Sequence, residues 1–167
     1  MSKHYSSGAD LSAKVLNGVN ILADNVASTL GPRGRTVLLQ RAGSGPFVSK
    51  DGVTVADHVV LDDPIENAAV HILKQASSQT NTLAGDGTTT SMVLARAILQ
   101  GAQKHIVAGT PPIAIKRAID RATEVLVNNL KEASTPIQSE EDIAHIASIS
   151  ANNDEVIGNL IAKAVDC

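Results

Sequence analysis

The amino-acid sequence predicts a mainly α-helical fold that carries one small β-hairpin. Helical spacing of apolar residues is clearest near the start of the chain, where one face is formed by Leu11, Val15, Val19, Leu22, Val26 and Leu30. Further along, a capping residue followed by proline marks a helix start, as at Asp63 and Pro64. Between Thr36 and Ser49 the helical pattern gives way to two short apolar stretches, which indicates strands.

The first helix ends at a glycine, and the hairpin follows it. Gly31 and Pro32 stop this helix, because glycine adopts the left-handed conformation of a helix end and proline cannot continue the helix. Residues 36–40 and 47–49 are the two predicted strands, and residues 42–46 form the loop between them. A lone hairpin is marginally stable, so we expect this one to pair with a third strand.

Five further helices are predicted from their start and stop signals. Asp63 is an N-cap, Pro64 takes the first helical position and Glu66 follows the cap at the capping-box spacing, which starts a helix to about Asn81. The other helices are expected from Thr90 to near Gly109, from Thr110-Pro111 to residues 134–136, from residues 139–142 onward, and from residues 153–154 onward. The break at residues 134–136 is the predicted domain boundary, which gives domains of residues 1–133 and 134–167.

Composition and charge exclude several classes of function. Aromatic residues make up 1% of the chain and the net charge is -3, which argues against a stacking or basic surface for nucleic acid. No apolar run is long enough to span a membrane, and the five histidines lack the paired spacing of a zinc site. The single cysteine, Cys167, excludes an internal disulfide. Together with a start that lacks an apolar signal region, it indicates a cytoplasmic protein.

The segment from Gly85 to Thr90 is the strongest candidate for a functional site. It places Asp86 between two glycines and directly before three threonines that open a helix, whose first amides are expected to be unpaired and to attract an anion. A carboxylate beside that anion suits a bridging magnesium ion. The alternative is a turn followed by a threonine-capped helix. The glycine spacing fits neither a P-loop nor a dinucleotide-binding fold.

Two other glycine-containing loops lie upstream of this segment. Residues 29–35 contain three small or turn-forming residues after the first helix, and residues 49–52 end in an Asp-Gly pair. Each has a simple alternative reading, a helix end with a tight turn in the first case and a common Asp-Gly turn in the second. Small residues also let a backbone approach a bound phosphate closely, and three such loops within ninety residues would need three coincidences if each were only a turn.

The sequences of these loops resemble the amino-terminal part of GroEL-type (group I) chaperonins. The resemblance runs from about Leu11 to the last residue, and the strings that carry it, in this order, are residues 18–24, 29–35, 50–53, 84–90 and 149–152. Such subunits have equatorial, intermediate and apical domains, with the ATP site in the equatorial domain. The resemblance therefore implies an equatorial-like ATP-binding segment over residues 1–133 and the start of an intermediate-like domain over residues 134–167.

The resemblance also assigns roles to individual residues. The residues that it places at the nucleotide are Thr29, Leu30, Gly31, Pro32, Lys50, Gly52, Gly85, Asp86, Gly87, Thr88, Thr89 and Thr90. Residues 29–32 line the nucleotide and residues 85–90 wrap its phosphates. Asp86 ligates magnesium, and Asp51 is the catalytic group, which lies near the terminal phosphate and helps to orient the attacking water. Lys50 and Thr89 lie close to the phosphates and to a monovalent cation, which we expect to be potassium.

The resemblance covers only the front third of a subunit, and this leaves two hypotheses. The first is an ATP-dependent protein-folding chaperonin subunit, present as an amino-terminal fragment or truncated homologue. Its complete form would be a homo-oligomeric ring, which would bind unfolded proteins and a co-chaperonin through segments absent here. The alternative is a truncated, non-hydrolysing paralogue that acts as a nucleotide-binding or interaction module. Because later segments supply part of the cleft and a second aspartate, we expect the 167-residue chain alone to be inactive. A helical scaffold without nucleotide is a third, unrelated reading.

Overall fold

The computed structural model describes residues 4–31, 34–40, 43, 45–151 and 153–165. Predictions made for Pro32, Asn152 and Cys167 lie outside these described residues. The elements, in chain order, are α1 (Gly8–Ala27), β1 (Val37–Leu39), β2 (Phe47–Ser49), α2 (Gly52–His58), α3 (Pro64–Ala84), α4 (Thr88–Val107), α5 (Pro112–Ala133), α6 (Glu140–Ser150) and α7 (Glu155–Val165). A mainly helical fold with one hairpin is therefore confirmed.

The chain divides into two compact units, Met1–Ile115 and Lys116–Cys167. The first unit holds α1 to α4 and the hairpin, and the second holds α6 and α7. Helix α5 begins in the first unit, and none of its described residues is buried. The domain division after residue 133, which rests on the proline-containing break, stays a prediction.

The core of the first unit is built from aliphatic side chains of α1, α2, α3 and α4. Its fully buried large side chains are Leu22, Val26, Val55, Val70 and Met92. Gly18 of α1 lies close to the backbone of α3, because a Cβ atom at this position would lie 2.4 Å from the carbonyl oxygen of Glu66. The absence of a side chain at Gly18 therefore lets α1 and α3 pack against each other at short distance.

The start of α3 follows the predicted capping signal, with one difference. The Asp63 carboxylate accepts hydrogen bonds from the amides of Ile65 and Glu66 at 2.8 and 3.1 Å, and Pro64 occupies the first turn. The Glu66 side chain does not bond back to the cap. It instead accepts a hydrogen bond from Asn17 Nδ2 at 2.8 Å, so a contact with α1 replaces the expected capping box.

The hairpin forms as predicted, and its partner strand is not among the described residues. Val37 pairs with Ser49 and Leu39 with Phe47 in an antiparallel register. Leu38 and Val48, which face each other across the two strands, are 70% and 64% exposed. An exposed apolar cross-strand pair is consistent with the expectation of further pairing, which stays a prediction.

Helix α2 was missed by the sequence reading. Val53, Thr54 and Val55 are β-branched and follow an Asp-Gly pair, so this stretch was interpreted as the far side of a turn. The structure instead makes Asp51 the N-cap of α2, whose Val55 and Ala56 are buried in the core. Burial of these two residues outweighs the weak intrinsic helix propensity of the segment.

In the second unit, α6 and α7 pack closely against each other. Ser139 and Asp142 form a capping box at the start of α6, which agrees with the helix start predicted there. Gly158 of α7 lies against α6, where a Cβ atom would come within 2.7 Å of the Ala144 carbonyl oxygen. Across the described residues of both units, no helix is long and apolar enough to cross a membrane.

We predict that Gly18→Ala destabilises the protein by about 1–3 kcal/mol, since the added methyl group would collide with the Glu66 backbone. Gly101→Ala is the matched control, because Gly101 also lies within a helix but has no atom near the position of a Cβ. This control should be neutral or stabilising by up to about 1 kcal/mol. Denaturant unfolding measures both variants, and equal stability of the two would contradict the proposed close packing of α1 on α3.

Candidate functional site

The chain reverses direction between α3 and α4 by means of two glycines. Gly85 ends α3 with φ +71° and its amide donates to the Asn81 carbonyl oxygen at 2.9 Å. Gly87 has φ +82° and is the N-cap of α4. Side chains rarely adopt such φ values, so the two glycines permit a turn this tight and leave Asp86 at its tip. The structure thus places Asp86 next to the first turn of α4.

The first turn of α4 presents unpaired backbone donors. The first backbone bond into this helix runs from the Ser91 amide to the Gly87 carbonyl oxygen at 2.8 Å. Within the described residues, the amides of Thr88, Thr89 and Thr90 donate to no acceptor, and Gly87 supplies no capping side chain. Three aligned amides and the positive end of the helix dipole favour an anion at this position.

Asp86 is exposed beside these donors. Its Oδ1 accepts a hydrogen bond from the Gly87 amide at 2.6 Å. Among the residues that the structure describes, no group of three or more His, Cys, Asp or Glu side chains could hold a metal ion. A cation at Asp86 would therefore need most of its ligands from water and from a bound anion, which is the usual arrangement for magnesium on phosphates.

Asp51 lies at the start of α2, where its carboxylate accepts hydrogen bonds from the residues of the first turn. Thr54 donates to Asp51 Oδ2 twice, from its amide at 2.8 Å and from its hydroxyl at 2.6 Å. Burial acts to raise the pKa of the Asp51 carboxyl group, but the hydrogen bonds from Thr54 and from the Val53 amide outweigh it and the pKa lies below its ordinary value. Asp51 Oδ1 takes part in neither Thr54 bond. Lys50, which precedes Asp51, is exposed.

Gly52 brings the start of α2 against the first turn of α4. A Cβ atom at Gly52 would lie 1.9 Å from Thr89 Oγ1 and 3.0 Å from Thr89 Cβ. Only glycine therefore allows this approach without a shift of Thr89 or α2. The contact joins the loop that carries Asp51 to the turn that carries Asp86, although these loops lie far apart in the sequence.

Side-chain pairs along the helices place the end of α1 in the same region. Asp24 forms an ion pair with Arg96, and Gln100 Nε2 donates to Asn20 Oδ1 at 2.8 Å. Residue numbers rise along α1 as they fall along α4, so the two helices are antiparallel and the end of α1 lies beside the start of α4. The turn of residues 29–31 follows directly.

Contacts between α1 and α3 support the same arrangement. Lys14 pairs with Asp63 at 2.6 Å and Asn17 with Glu66 at 2.8 Å, so α1 and α3 run in parallel. The carboxyl ends of both helices and the amino end of α4 therefore meet at one end of the bundle. This end gathers the described parts of all three glycine-containing loops.

Residues 29–31, which follow the C-cap of α1, have a defined turn geometry. Thr29 donates from its hydroxyl to the Val26 carbonyl oxygen at 2.8 Å, and Gly31 has φ +78°. Leu30 is 46% exposed. Pro32, the fourth residue predicted to line the nucleotide, is outside the described residues. The described residues of this loop thus lie at the predicted end of the bundle, and their contact with a nucleotide stays a prediction.

Two residues near this end were missed by the sequence reading. Ser77 is a buried polar residue of α3, and its hydroxyl donates to the Thr88 carbonyl oxygen at 3.3 Å. It follows Leu73 at helical spacing on the buried face, so periodicity was the signal that could have found it. Lys74, also on α3, donates from Nζ to two carbonyl oxygens at the end of α2. A single lysine within a helix carries no comparable signal.

The second unit contains a cavity of about 600 Å³ between α6 and α7. Its lining includes Glu140, Glu141, His145 and Glu155, and all of its lining residues belong to the second unit. None of the predicted site residues borders it. The candidate site is therefore an open end of the helical bundle and not this cavity.

Comparison with known proteins shows that this is the fold of a chaperonin subunit. Chaperonin gp146 from the bacteriophage EL 2 (Pseudomonas aeruginosa), solved in the presence of ATP-BeFx, matches 94% of this chain with a TM-score of 0.77 and 25% identity. A group III chaperonin in the open state matches 93% with a TM-score of 0.80 and 24% identity. The model of the TCP-1/cpn60 chaperonin family matches residues 22–167, and the chain belongs to this family.

The match covers part of a chaperonin subunit. This chain spans 28% of the gp146 chain and 31% of the group III chain. The predicted resemblance to chaperonins is confirmed at the level of the family. Assignment to the GroEL-type group, and the roles given to individual site residues, stay predictions.

We predict that Gly52→Ala destabilises the protein by about 1–3 kcal/mol, because the new methyl group would collide with Thr89 Oγ1. Thr89→Ala in the same chain should recover part of the loss, since it removes the closest atom but keeps the Cβ. Gly45→Ala, with no atom within 4 Å, is the control. Denaturant unfolding of the two single variants and the double variant gives the coupling energy. Additive effects would contradict a direct contact between α2 and α4.

Proposed function

We propose that this chain is the ATP-binding part of a GroEL-type, ATP-dependent protein-folding chaperonin subunit, which binds Mg-ATP at the loop end of the first unit. The main observation that supports this proposal is the contact of Gly52 with Thr89, which joins the Asp51 loop to the turn with unpaired amides. Family membership supports a chaperonin role. The ATP-BeFx in the gp146 crystals supports a nucleotide ligand for a protein of this fold.

The nucleotide phosphates fit the donors at the start of α4. Amides of Thr88, Thr89 and Thr90 would bind phosphate oxygens, and the glycines at 85 and 87 leave the backbone open to them. Residues 29–32 and Gly52 would border the rest of the nucleotide. Binding in this mode does not need an enclosed pocket within this chain, because later parts of a subunit would complete the cleft.

Asp86 is the residue that would hold magnesium. It is exposed at the tip of the turn and stands next to the amides that would bind phosphate. When bound, magnesium would supply charge neutralisation for the phosphate oxygens. Lys50 and Thr89 would lie near the phosphates and a potassium ion, in line with the resemblance to chaperonins.

Asp51 is the residue that would orient the attacking water. Its lowered pKa keeps it ionised, and an ionised carboxylate accepts a hydrogen bond from water. The two bonds from Thr54 fix the direction of the carboxylate before any nucleotide binds. A fixed acceptor costs little reorganisation during the reaction, so its contribution falls mainly on the rate.

The activity of the whole protein forms part of the same proposal. The complete subunit would assemble into a homo-oligomeric ring in the cytoplasm and act on unfolded proteins with a co-chaperonin. The loop sequences support the GroEL-type group. The fold does not separate the groups, because it is shared with a group III chaperonin. Co-purification of the complete protein with a separate partner that caps the ring would support this group. A ring that is closed by a segment of the subunit itself, without such a partner, would contradict it.

We predict that Asp86→Ala removes the magnesium dependence of ATP binding in the complete protein, because the carboxylate beside the phosphates is lost. Titration of ATP with and without magnesium measures the effect. Asp62→Ala is the matched control, since Asp62 is equally a loop aspartate but lies before α3, at the other end of the bundle. Unchanged magnesium dependence in Asp86→Ala would rule out Asp86 as the ligand.

We predict that Asp51→Asn lowers kcat for phosphate release by about 100-fold and changes the Kd for Mg-ATP much less. Asparagine still caps a helix, so α2 is retained while the charge is removed. Asp154→Asn, the same change at the N-cap of α7, is the control. Equal losses in binding and rate would make Asp51 a ground-state contact, and a wild-type protein without phosphate release would favour the non-hydrolysing alternative.

A further inference from the structure

Helix α2 is too short to be stable by itself. It has seven residues, and isolated helices below about 12–15 residues are marginal in water. Its position therefore depends on contacts with other elements. At its start, Asp51 caps it and Gly52 lies against Thr89 of α4. In its middle, Val55 and Ala56 are buried in the core.

One side chain of α3 bonds to the end of α2, which also contacts β2 through His58 and the core through Val59. Lys74 Nζ donates to the carbonyl oxygen of Val59 at 2.9 Å and to that of Asp57 at 3.2 Å. Both acceptors belong to the last turn of α2 and its C-cap, where carbonyl oxygens lack helical partners and the helix dipole is negative. A lysine ammonium group donates hydrogen bonds to these carbonyl oxygens, and its positive charge interacts favourably with the negative end of the helix dipole.

The environment of Lys74 agrees with a fixed position. Its ammonium group is partly withdrawn from water, and this burial lowers the pKa of Lys74 from its ordinary value, against a smaller opposing effect of the Asp57 carboxylate. A surface lysine would avoid this desolvation by turning towards solvent. Lys74 instead keeps its two bonds to α2, so these bonds compensate for the lost hydration.

The two ends of α2 have different effects on Asp51. Gly52 is the contact point with α4 and contributes no side chain there, while Val55 and Ala56 hold the middle of the helix in the core. The Lys74 bonds lie at the opposite end, where a small movement changes the direction of the whole helix. Because Thr54 binds the Asp51 carboxylate to α2, the carboxylate follows that direction.

We propose that Lys74 is a positioning residue for ATP hydrolysis: by holding the end of α2 it fixes the direction of the Asp51 carboxylate. This inference rests on the proposed function, in which Asp51 orients the attacking water. Lys74 touches neither the amides of α4 nor Asp86 in the described contacts. Its loss should therefore leave phosphate binding in place and reduce the rate.

The test uses Lys74→Met in the complete protein, because methionine keeps the apolar stem and removes the donor. We expect kcat for phosphate release to fall about tenfold or more, as misplacement of a catalytic group does, with the Kd for Mg-ATP within about threefold of wild type. Lys74→Arg retains a cationic donor and should restore most of the rate. Lys104→Met, an exposed lysine at the far end of α4, is the control.

A double-variant cycle separates positioning from general destabilisation. If Lys74 acts through Asp51, Lys74→Met should cause no further loss of kcat in an Asp51→Asn protein. An equal further loss in that background would overturn the proposal. So would a parallel loss of binding and rate in Lys74→Met, no rescue by arginine, or the same loss in Lys104→Met.

Amide hydrogen exchange of α2 provides a readout that does not depend on turnover. Exchange of the Val55, Ala56 and Val59 amides should be faster in Lys74→Met than in wild type or Lys104→Met, while the α1 amides stay unchanged. Unchanged α2 exchange would overturn the Lys74 proposal alone. If α2 exchange is slower in wild type than in Lys74→Met but wild type releases no phosphate, the proposed function is wrong, and with it the role of Lys74 in hydrolysis.

Discussion

The contact of Gly52 with Thr89 is the constraint on which the candidate site depends. A hydrogen atom in place of a side chain lets α2 begin directly on the first turn of α4, within the space that a Cβ would need. Two loops from separate parts of the sequence thereby become neighbours. With a larger residue at this position, the Asp51 carboxylate and the unpaired amides of α4 would have to move apart, and each loop would be an ordinary turn at the surface.

The sequence predicted those parts of the fold that depend on local interactions. Helix starts at Asp63 and Ser139 were found because an N-cap side chain bonds to amides only two or three residues away. The predicted helix end at Gly31 was wrong by a few residues, because α1 ends at Ala27 and Gly31, which has a positive φ, lies in the turn beyond it. Glu66 shows the limit of this reasoning: its spacing fits a capping box, but a hydrogen bond with Asn17 on another helix takes its side chain.

Features that depend on tertiary contacts were beyond the sequence reading. The β-branched residues after Gly52 indicated no helix, and α2 forms because Val55 and Ala56 gain burial in a core that the sequence pattern does not reveal. The meeting of three loops at one end follows from the parallel and antiparallel pairings of α1, which no spacing specifies. In the candidate site, the residue types could be selected from the sequence, but the supporting role of Lys74 could not.

The proposed function assigns binding and chemistry to different elements. The unpaired amides that are proposed to bind phosphate belong to α4, a long helix packed against α1 and α3, whereas the proposed water-orienting carboxylate belongs to α2, a short helix held by a few contacts. Short elements with few packed contacts open locally at a lower free energy than long helices packed along their length. In the proposed function, a change in the contacts of α2 would therefore alter the rate of hydrolysis while nucleotide stays bound.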